Sequence, residues 1–251
     1  MSEEIVLHVK GLKKAFGAVI AADNLDVQVP AAARLSLIGS NGAGKTTFVN
    51  MVTGYMKPDS GEILLYGDNV VGFSPRRISR MGVCRSFQIP QLCESMTAVD
   101  NLIVAGTIAS KQKASFFRPV HDRQNVDRAL EMLARFGLTD YADQPVEQLP
   151  GGVRKLIDIA MALVSQPRVL LLDEPTSGVS SEEKFPLMDR VMAALAGEKA
   201  AVIFVEHDME VVTRYADRVL AFYSGDIIAD DTPERVLADP KVQEFVTGTA
   251  R

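Results

Sequence analysis

Tryptophan is absent from this chain, and aromatic residues make up only 6% of its 251 positions. Its two cysteines, Cys84 and Cys93, match no metal-ligand spacing. A cytosolic chain would keep both reduced, and they are assigned no function. An excess of basic residues is also missing. Lys and Arg number 27 against 32 Asp and Glu, a net charge of −5, which argues against broad nucleic-acid binding. No stretch approaches the roughly 18 consecutive apolar residues of a membrane span. The start, Met1-Ser2-Glu3-Glu4, is acidic and lacks the basic opening of a secretory signal, so the expected place is the cytoplasm. Neither an internal repeat nor a low-complexity tract is seen. What remains is ordinary globular composition, 47% hydrophobic and 24% charged. The length suits one large domain, or a core with a second lobe.

The most constrained stretch is Gly39-Ser40-Asn41-Gly42-Ala43-Gly44-Lys45-Thr46, a G-x-x-x-x-G-K-T pattern. By chance it arises in roughly one chain in a hundred of this length. The apolar run Leu35-Ser36-Leu37-Ile38 before it reads as a buried strand, and Thr47 onward reads as a helix start. That is the strand–loop–helix setting in which backbone N–H groups close around phosphate oxygens and a helix N-terminus adds positive potential. Lys45 can reach β- and γ-phosphates, and the Thr46 hydroxyl can ligate Mg²⁺.

The first ~35 residues alternate short apolar runs with Gly and Asp-Asn turn signals, which predicts a small antiparallel sheet. Residues 62–66 continue it. From Ala98 to Leu163 the spacing turns helical, with Leu102, Ala105, Gly106 and Ala109 on one stripe and Val126, Leu130, Leu133 and Phe136 on another. Between them, residues 111–120 read as a basic, aromatic loop or helix end. Residues 169–172 and 201–205 are wholly apolar β-type runs, as central parallel strands require. Ser224-Gly225-Asp226 predicts a hairpin turn, and Thr232-Pro233-Glu234 an N-capped last helix.

Two of those strands end in chemistry. Leu170-Leu171-Leu172-Asp173-Glu174-Pro175 delivers two carboxylates at a strand's carboxyl edge, where ligands of open α/β sheets bind. Asp173 is expected to hold Mg²⁺ and Glu174 to polarise an attacking water. Taken alone, Asp-Glu-Pro reads as a solvated strand end, and only the P-loop reverses those odds. The run 201–205 ends in Glu206-His207-Asp208. A lone histidine there is more often structural, but the neighbouring strand makes a γ-phosphate contact plausible. Gln88 lies where sheet gives way to helix and carries no weight alone. Leu149-Pro150-Gly151-Gly152-Val153 precedes an amphipathic helix with Leu156, Ile159, Ala160 and Leu163 on one face. It reads either as a plain turn or as a second anion-holding helix N-terminus.

Taken together, residues 5–250 resemble the nucleotide-binding subunit of ABC transporters. The resemblance makes residues 39–46 the Walker A loop, with Thr47 following, and Gln88 the Q-loop glutamine. Residues 149–153 become the signature, 169–173 the Walker B strand, Glu174 the catalytic glutamate, 177–180 the D-loop and His207 the switch histidine. Phe16 falls at the position that stacks on adenine, although alone it would be read as core. The fold implied is α/β. A P-loop NTPase core with a mostly parallel central sheet carries an N-terminal antiparallel β subdomain and an inserted α-helical subdomain. The domain is expected to span residues 4–251, with 4–88 and 164–251 forming the core and 89–163 the helical part. The implied ligands are ATP and Mg²⁺, the latter on Thr46, Gln88 and Asp173. ATP is implied to contact Phe16, residues 39–47, and Gly151 and Gly152. The implied partners are a second ABC ATPase subunit (identical or different), transmembrane permease subunits and, indirectly, a solute-binding protein. No nucleic acid is implied, and the place is the cytoplasmic face of the inner membrane.

Four segments look like the ATPases of branched-chain amino acid importers: residues 85–88, 96–102, 205–209 and the tail from Gly225 to Gly248. Related ATPases that move urea, aromatic acids or lipids are the alternative. Pro150 replaces the usual signature serine, Val153 the common glutamine, and Ser180 the D-loop Asp or Asn. The resemblance therefore implies a working ATP site that closes less tightly. A soluble ABC ATPase of DNA repair or translation would carry a second P-loop or sustained heptads. A kinase or GTPase would need a phosphoacceptor lid or an Asn-Lys-x-Asp segment. None of these is present.

Overall fold

The chain builds two sheets, seen in a computed structural model that describes residues 4–88, 90–109 and 122–248. The first sheet is antiparallel, in the order β2 (Val19–Pro30), β1 (Ile5–Phe16), β4 (Ser60–Leu65) and β5 (Asp68–Asn69). The second has six strands. Its order is β10 (Asp226–Asp231), β9 (Arg218–Tyr223), β3 (Arg34–Gly39), β8 (Ala201–Val205), β7 (Val169–Asp173) and β6 (Val83–Ser86). The five strands from β9 to β6 run parallel, and only β10 is antiparallel. The antiparallel sheet and the mostly parallel central sheet are as expected.

Helices cover both faces of the parallel strands, with the short α2 (Pro75–Arg80) ahead of β6 and α7 (Met209–Tyr215) after β8. Leu170, Leu172, Val202 and Phe204 point to one side. There they pack among α3 (Ala98–Ala109), α4 (Arg123–Arg135), α5 (Gly151–Val164) and α6 (Lys184–Ala194). Val169, Leu171, Ala201, Ile203 and Val205 point to the other side, toward the antiparallel sheet and α1 (Lys45–Val52). This two-residue alternation explains why the strands read as continuous apolar runs: both of their faces are core. Phe48 of α1 packs against Phe222 of β9 at 5.7 Å between ring centroids, and both are fully buried. Each such side chain contributes about 1.5–3 kcal/mol by leaving water.

Several local expectations need correcting. The first P-loop helix begins at Lys45, two residues earlier than expected. Helix α3 does carry Leu102, Ala105, Gly106 and Ala109 as their spacing predicts, with Leu102 and Ile103 buried and Ala105 and Gly106 half-buried. Thr232 occupies the N-cap of α8 (Pro233–Ala238), but its hydroxyl makes no cap bond, so Pro233 starts that helix without it. Gly151 and Gly152 lie inside the first turn of α5 and do not form a turn before it. The basic stretch at 111–120 lies outside the described residues.

Candidate functional site

Parallel strands deliver their following loops to one edge of a sheet, and here four adjacent strands do so. The strand order β3-β8-β7-β6 sets side by side the loops after Gly39, Val205, Asp173 and Ser86. These carry the P-loop, His207, Glu174 and Gln88. Register fixes the heights, since Leu37 and Asp173 both pair with Val205, and Leu172 pairs with Ser86.

In the P-loop, Gly39 (φ 150) and Gly44 (φ 112) take backbone conformations that side chains rarely adopt. A Cβ at Gly39 would stand 2.5 Å from the Phe222 carbonyl oxygen, and one at Gly44 would stand 2.4 Å from that of Ala21. Ser40, Asn41 and Gly42 are exposed, whereas Ala43 is buried. The Lys45 ammonium, nearly buried, donates to the carbonyls of Gly39 (2.6 Å) and Ser40 (3.1 Å). It forms no ion pair among the described residues. Burial pulls it below the usual lysine value, opposed by the charges of Glu174 and Asp173. A cation bonded only to carbonyls inside a loop of N–H groups fits a bound phosphate. Thr46 is exposed and Thr47 half-buried at the opening of α1.

Glu174 adopts φ 48, unusual for a glutamate, and its N–H donates to the Val205 carbonyl at 3.0 Å. The side chain thereby sits between two expected partners. Gln88 Nε2 donates to its Oε2 at 2.6 Å, and His207 Nε2 lies 3.3 Å from its Oε1. All three are accessible to some degree, so they line an open edge. Among the described residues no group of three His, Cys, Asp or Glu is arranged to hold a metal alone. A cation here would need the Thr46 hydroxyl, the Gln88 amide and phosphate oxygens besides Asp173. That oxygen-rich donor set fits Mg²⁺, which keeps several non-protein ligands.

The remaining candidates lie apart from this cluster. Phe16 ends β1 in the hairpin with Val19; its ring is half exposed, with the Lys14 ammonium 5.6 Å from its centroid. Gly151 and Gly152 open α5 behind the exposed Pro150, and a Cβ on either would meet nothing within 4 Å. Ser180 donates to Glu183 at 3.0 Å.

Sequence reasoning assigned no role to several buried polar groups around this edge. Arg85, in the middle of β6, donates through Nη2 to Asp173 Oδ2 at 2.5 Å and through Nη1 to Asn50 Oδ1 of α1 at 2.7 Å. One oxygen of the Asp173 carboxylate is thus already engaged. Lys155 and Asp158 sit on the buried stripe of α5. Lys155 donates to the carbonyls of Phe87 (3.0 Å) and Gln88 (2.9 Å). Asp158 accepts from Ser86 Oγ (2.5 Å) and the Gln91 N–H (3.0 Å). Burial lowers the Lys155 ammonium and raises the Asp158 carboxyl. The available signal was a charge inside an apolar strand, and a Lys and an Asp one turn apart beside Leu156 and Ile159.

A profile described as ABC transporter matches residues 22–177, more than half of the chain. The high-affinity branched-chain amino acid transport ATP-binding protein LivG of Escherichia coli (strain K12) is 34% identical over 98% of both chains. The BraF protein of the same description from Pseudomonas aeruginosa is 33% identical, again over 98% of both. Among solved structures, the ADP conformation of MJ1267, an ATP-binding cassette of an ABC transporter, aligns with a TM-score of 0.85. Its identity is 28%, covering 96% of this chain and 97% of that one.

Proposed function

Because this chain belongs to the ABC transporter family and is an ATPase of that family, we propose that it powers the import of branched-chain amino acids. It does so as one half of a head-to-tail pair seated on permease subunits at the cytoplasmic face of the membrane. The observation that carries the catalytic part is the meeting of Gln88 and His207 on the two oxygens of Glu174. Near-full-length similarity to LivG and BraF supports the substrate class.

Residues 39–47 hold the ATP phosphates through backbone N–H groups and Lys45, with the adenine against the exposed ring of Phe16. Thr46, Gln88 and Asp173 would hold Mg²⁺, which when bound neutralises developing phosphate charge. Glu174 takes the proton of the attacking water, with Gln88 and His207 fixing its carboxylate. Gly151 and Gly152 offer their N–H groups to the nucleotide of the second cassette, so each site is completed across the pair. Closure excludes water and hydrolysis reopens the pair, a nucleotide-driven population shift. No described helix is long and apolar enough to cross a membrane, so the motion must pass to other subunits. An open cleft of about 1220 Å³, lined by Phe87 and Gln91, supports their docking. Its walls include Tyr55 beyond α1, Arg80 at the end of α2, Ala105 of α3, Met161 of α5 and Phe87. The proposed division into a helical part and a core is supported by the lining of this cleft, to which Ala105 and Met161 contribute from the one and Tyr55 and Arg80 from the other.

The test is the complete complex with permease and solute-binding subunits. Leucine, isoleucine or valine should stimulate its ATPase, and Glu174→Gln should bind ATP yet hydrolyse it at least about tenfold more slowly. No stimulation by any of the three overturns the substrate. Near wild-type turnover in the variant overturns the role of Glu174.

A further inference from the structure

Glu206 is 3% exposed and directly follows β8, one residue before His207. Its Oε1 accepts from the Thr176 N–H (3.0 Å) and the Thr176 hydroxyl (2.7 Å). Its Oε2 accepts from the His207 N–H at 3.2 Å. One buried carboxylate therefore spans the loop after β7, which carries Glu174, and the loop after β8, which carries His207. Its partners are neutral, and Glu206 has no ion pair among the described residues. Burying a carboxylate against neutral donors is costly unless each oxygen is fully used. Here each is used on a different loop. The same short segment is constrained further, because Glu174 holds φ 48 and the Ser177 N–H donates to its carbonyl at 3.1 Å.

We propose that Glu206 is a positioning residue for ATP hydrolysis: its carboxylate ties Thr176 to His207 and so sets the 3.3 Å approach of His207 to Glu174. The proposal rests on the reading of Glu174 as the base. The chemistry demands a carboxylate. The Thr176 hydroxyl and the N–H groups of Thr176, His207 and Asp208 face it, and a glutamine would offer one accepting oxygen and an NH₂ group that opposes a donor on one of the loops. The volume would be kept and the tie cut.

The test compares Glu206→Gln, Thr176→Val, their double variant, and Glu206→Gln combined with Glu174→Gln, all in the full-length chain. Glu206→Gln should lower kcat about tenfold or more while KM and the ATP dissociation constant change less than about threefold. Thr176→Val, which removes one hydroxyl from a half-buried site, should lower kcat less. The double variant should match Glu206→Gln alone, because both act through one tie. In the Glu174→Gln background, Glu206→Gln should leave the residual rate within about twofold. The proposal is overturned if Glu206→Gln keeps wild-type kcat, or if kcat, KM and melting temperature all fall together. Multiplication of the Glu206 and Glu174 effects would also overturn it. If Glu206→Gln does not fold, an unchanged kcat in Thr176→Val overturns it instead. Wild-type turnover in Glu174→Gln removes the reading of the base; an inactive Glu174→Gln beside a fully active Glu206→Gln removes only the positioning role.

Discussion

Among the described residues two helices, α1 and α5, open on glycines, and the glycines stand there for different reasons. In the P-loop, Gly39 and Gly44 sit at positive φ, and an added Cβ would collide with backbone oxygens of β9 and β2 at 2.5 and 2.4 Å. The chain's own packing demands them. At the start of α5, Gly151 and Gly152 have no positive φ, and a Cβ on either would enter open space. Among the described residues nothing requires glycine there. Open space beside these two glycines is what the proposed capping of a second cassette's nucleotide would need. The anchors of the two helices differ as well. Helix α1 is pinned by the apolar contact of Phe48 with Phe222, whereas α5 adds the buried charges Lys155 and Asp158 to its apolar stripe.

The sharpest way to break this comparison is Gly44→Ala. Strain of about 1–3 kcal/mol at such a φ, with the clash added, should lower the melting temperature and remove ATP binding in the single chain. Calorimetry and nucleotide titration check both, and retained binding would mean that the loop relaxes. Gly152→Asp should act the other way round. An acid in the first turn suits the helix dipole, so the melting temperature should stay within about 2 °C while ATPase of the paired cassettes falls at least about tenfold through repulsion of phosphate. Loss of ATP binding in the separate chain would contradict the assignment of these glycines to the other cassette's site. The smallest effect concerns the anchors. Burial raises the folded-state pKa of Asp158 above its unfolded value near 4, so the folded chain holds the extra proton between those two values. Its contribution to stability is full below the unfolded pKa and is lost as pH rises through the folded one. Asp158→Asn should therefore flatten that part of the melting-temperature profile by on the order of a few degrees, whereas Phe48→Leu should lower the profile without changing its slope.

Much of the site was legible because its local chemistry is local in sequence. A glycine-rich loop between an apolar strand and a helix needs no distant residue to be read, and the runs 169–173 and 201–205 announce strands buried on both faces. The helix stripes were read less well. Ala105 and Gly106 keep the stripe's spacing and are half-buried, Gly106 lying close against Val164 of α5, while Ile103, outside that stripe, is more deeply buried. Thr232 stands in the sequence position of a cap while its hydroxyl goes unused, because Pro233 already presets the first turn. Arg85, Lys155, Asp158 and Glu206 were illegible as parts of the site. A buried charge carries no label for its partner, and these partners lie 35 to 88 residues away for the first three.

The sequence by itself determined where a P-loop pattern lies, at 39–46, and which strand ends carry carboxylates at 173 and 174 and an imidazole at 207; the amide at 88 gained weight only from the family resemblance. It determined these because strand, turn and helix signals act over a few residues. Only the tertiary structure decided that β8 inserts between β3 and β7, so that His207 and Gln88 reach Glu174 from opposite sides. Parallel neighbours in a sheet are joined by long crossovers, so the order of strands in space is set by packing across the whole chain and not by adjacency along it.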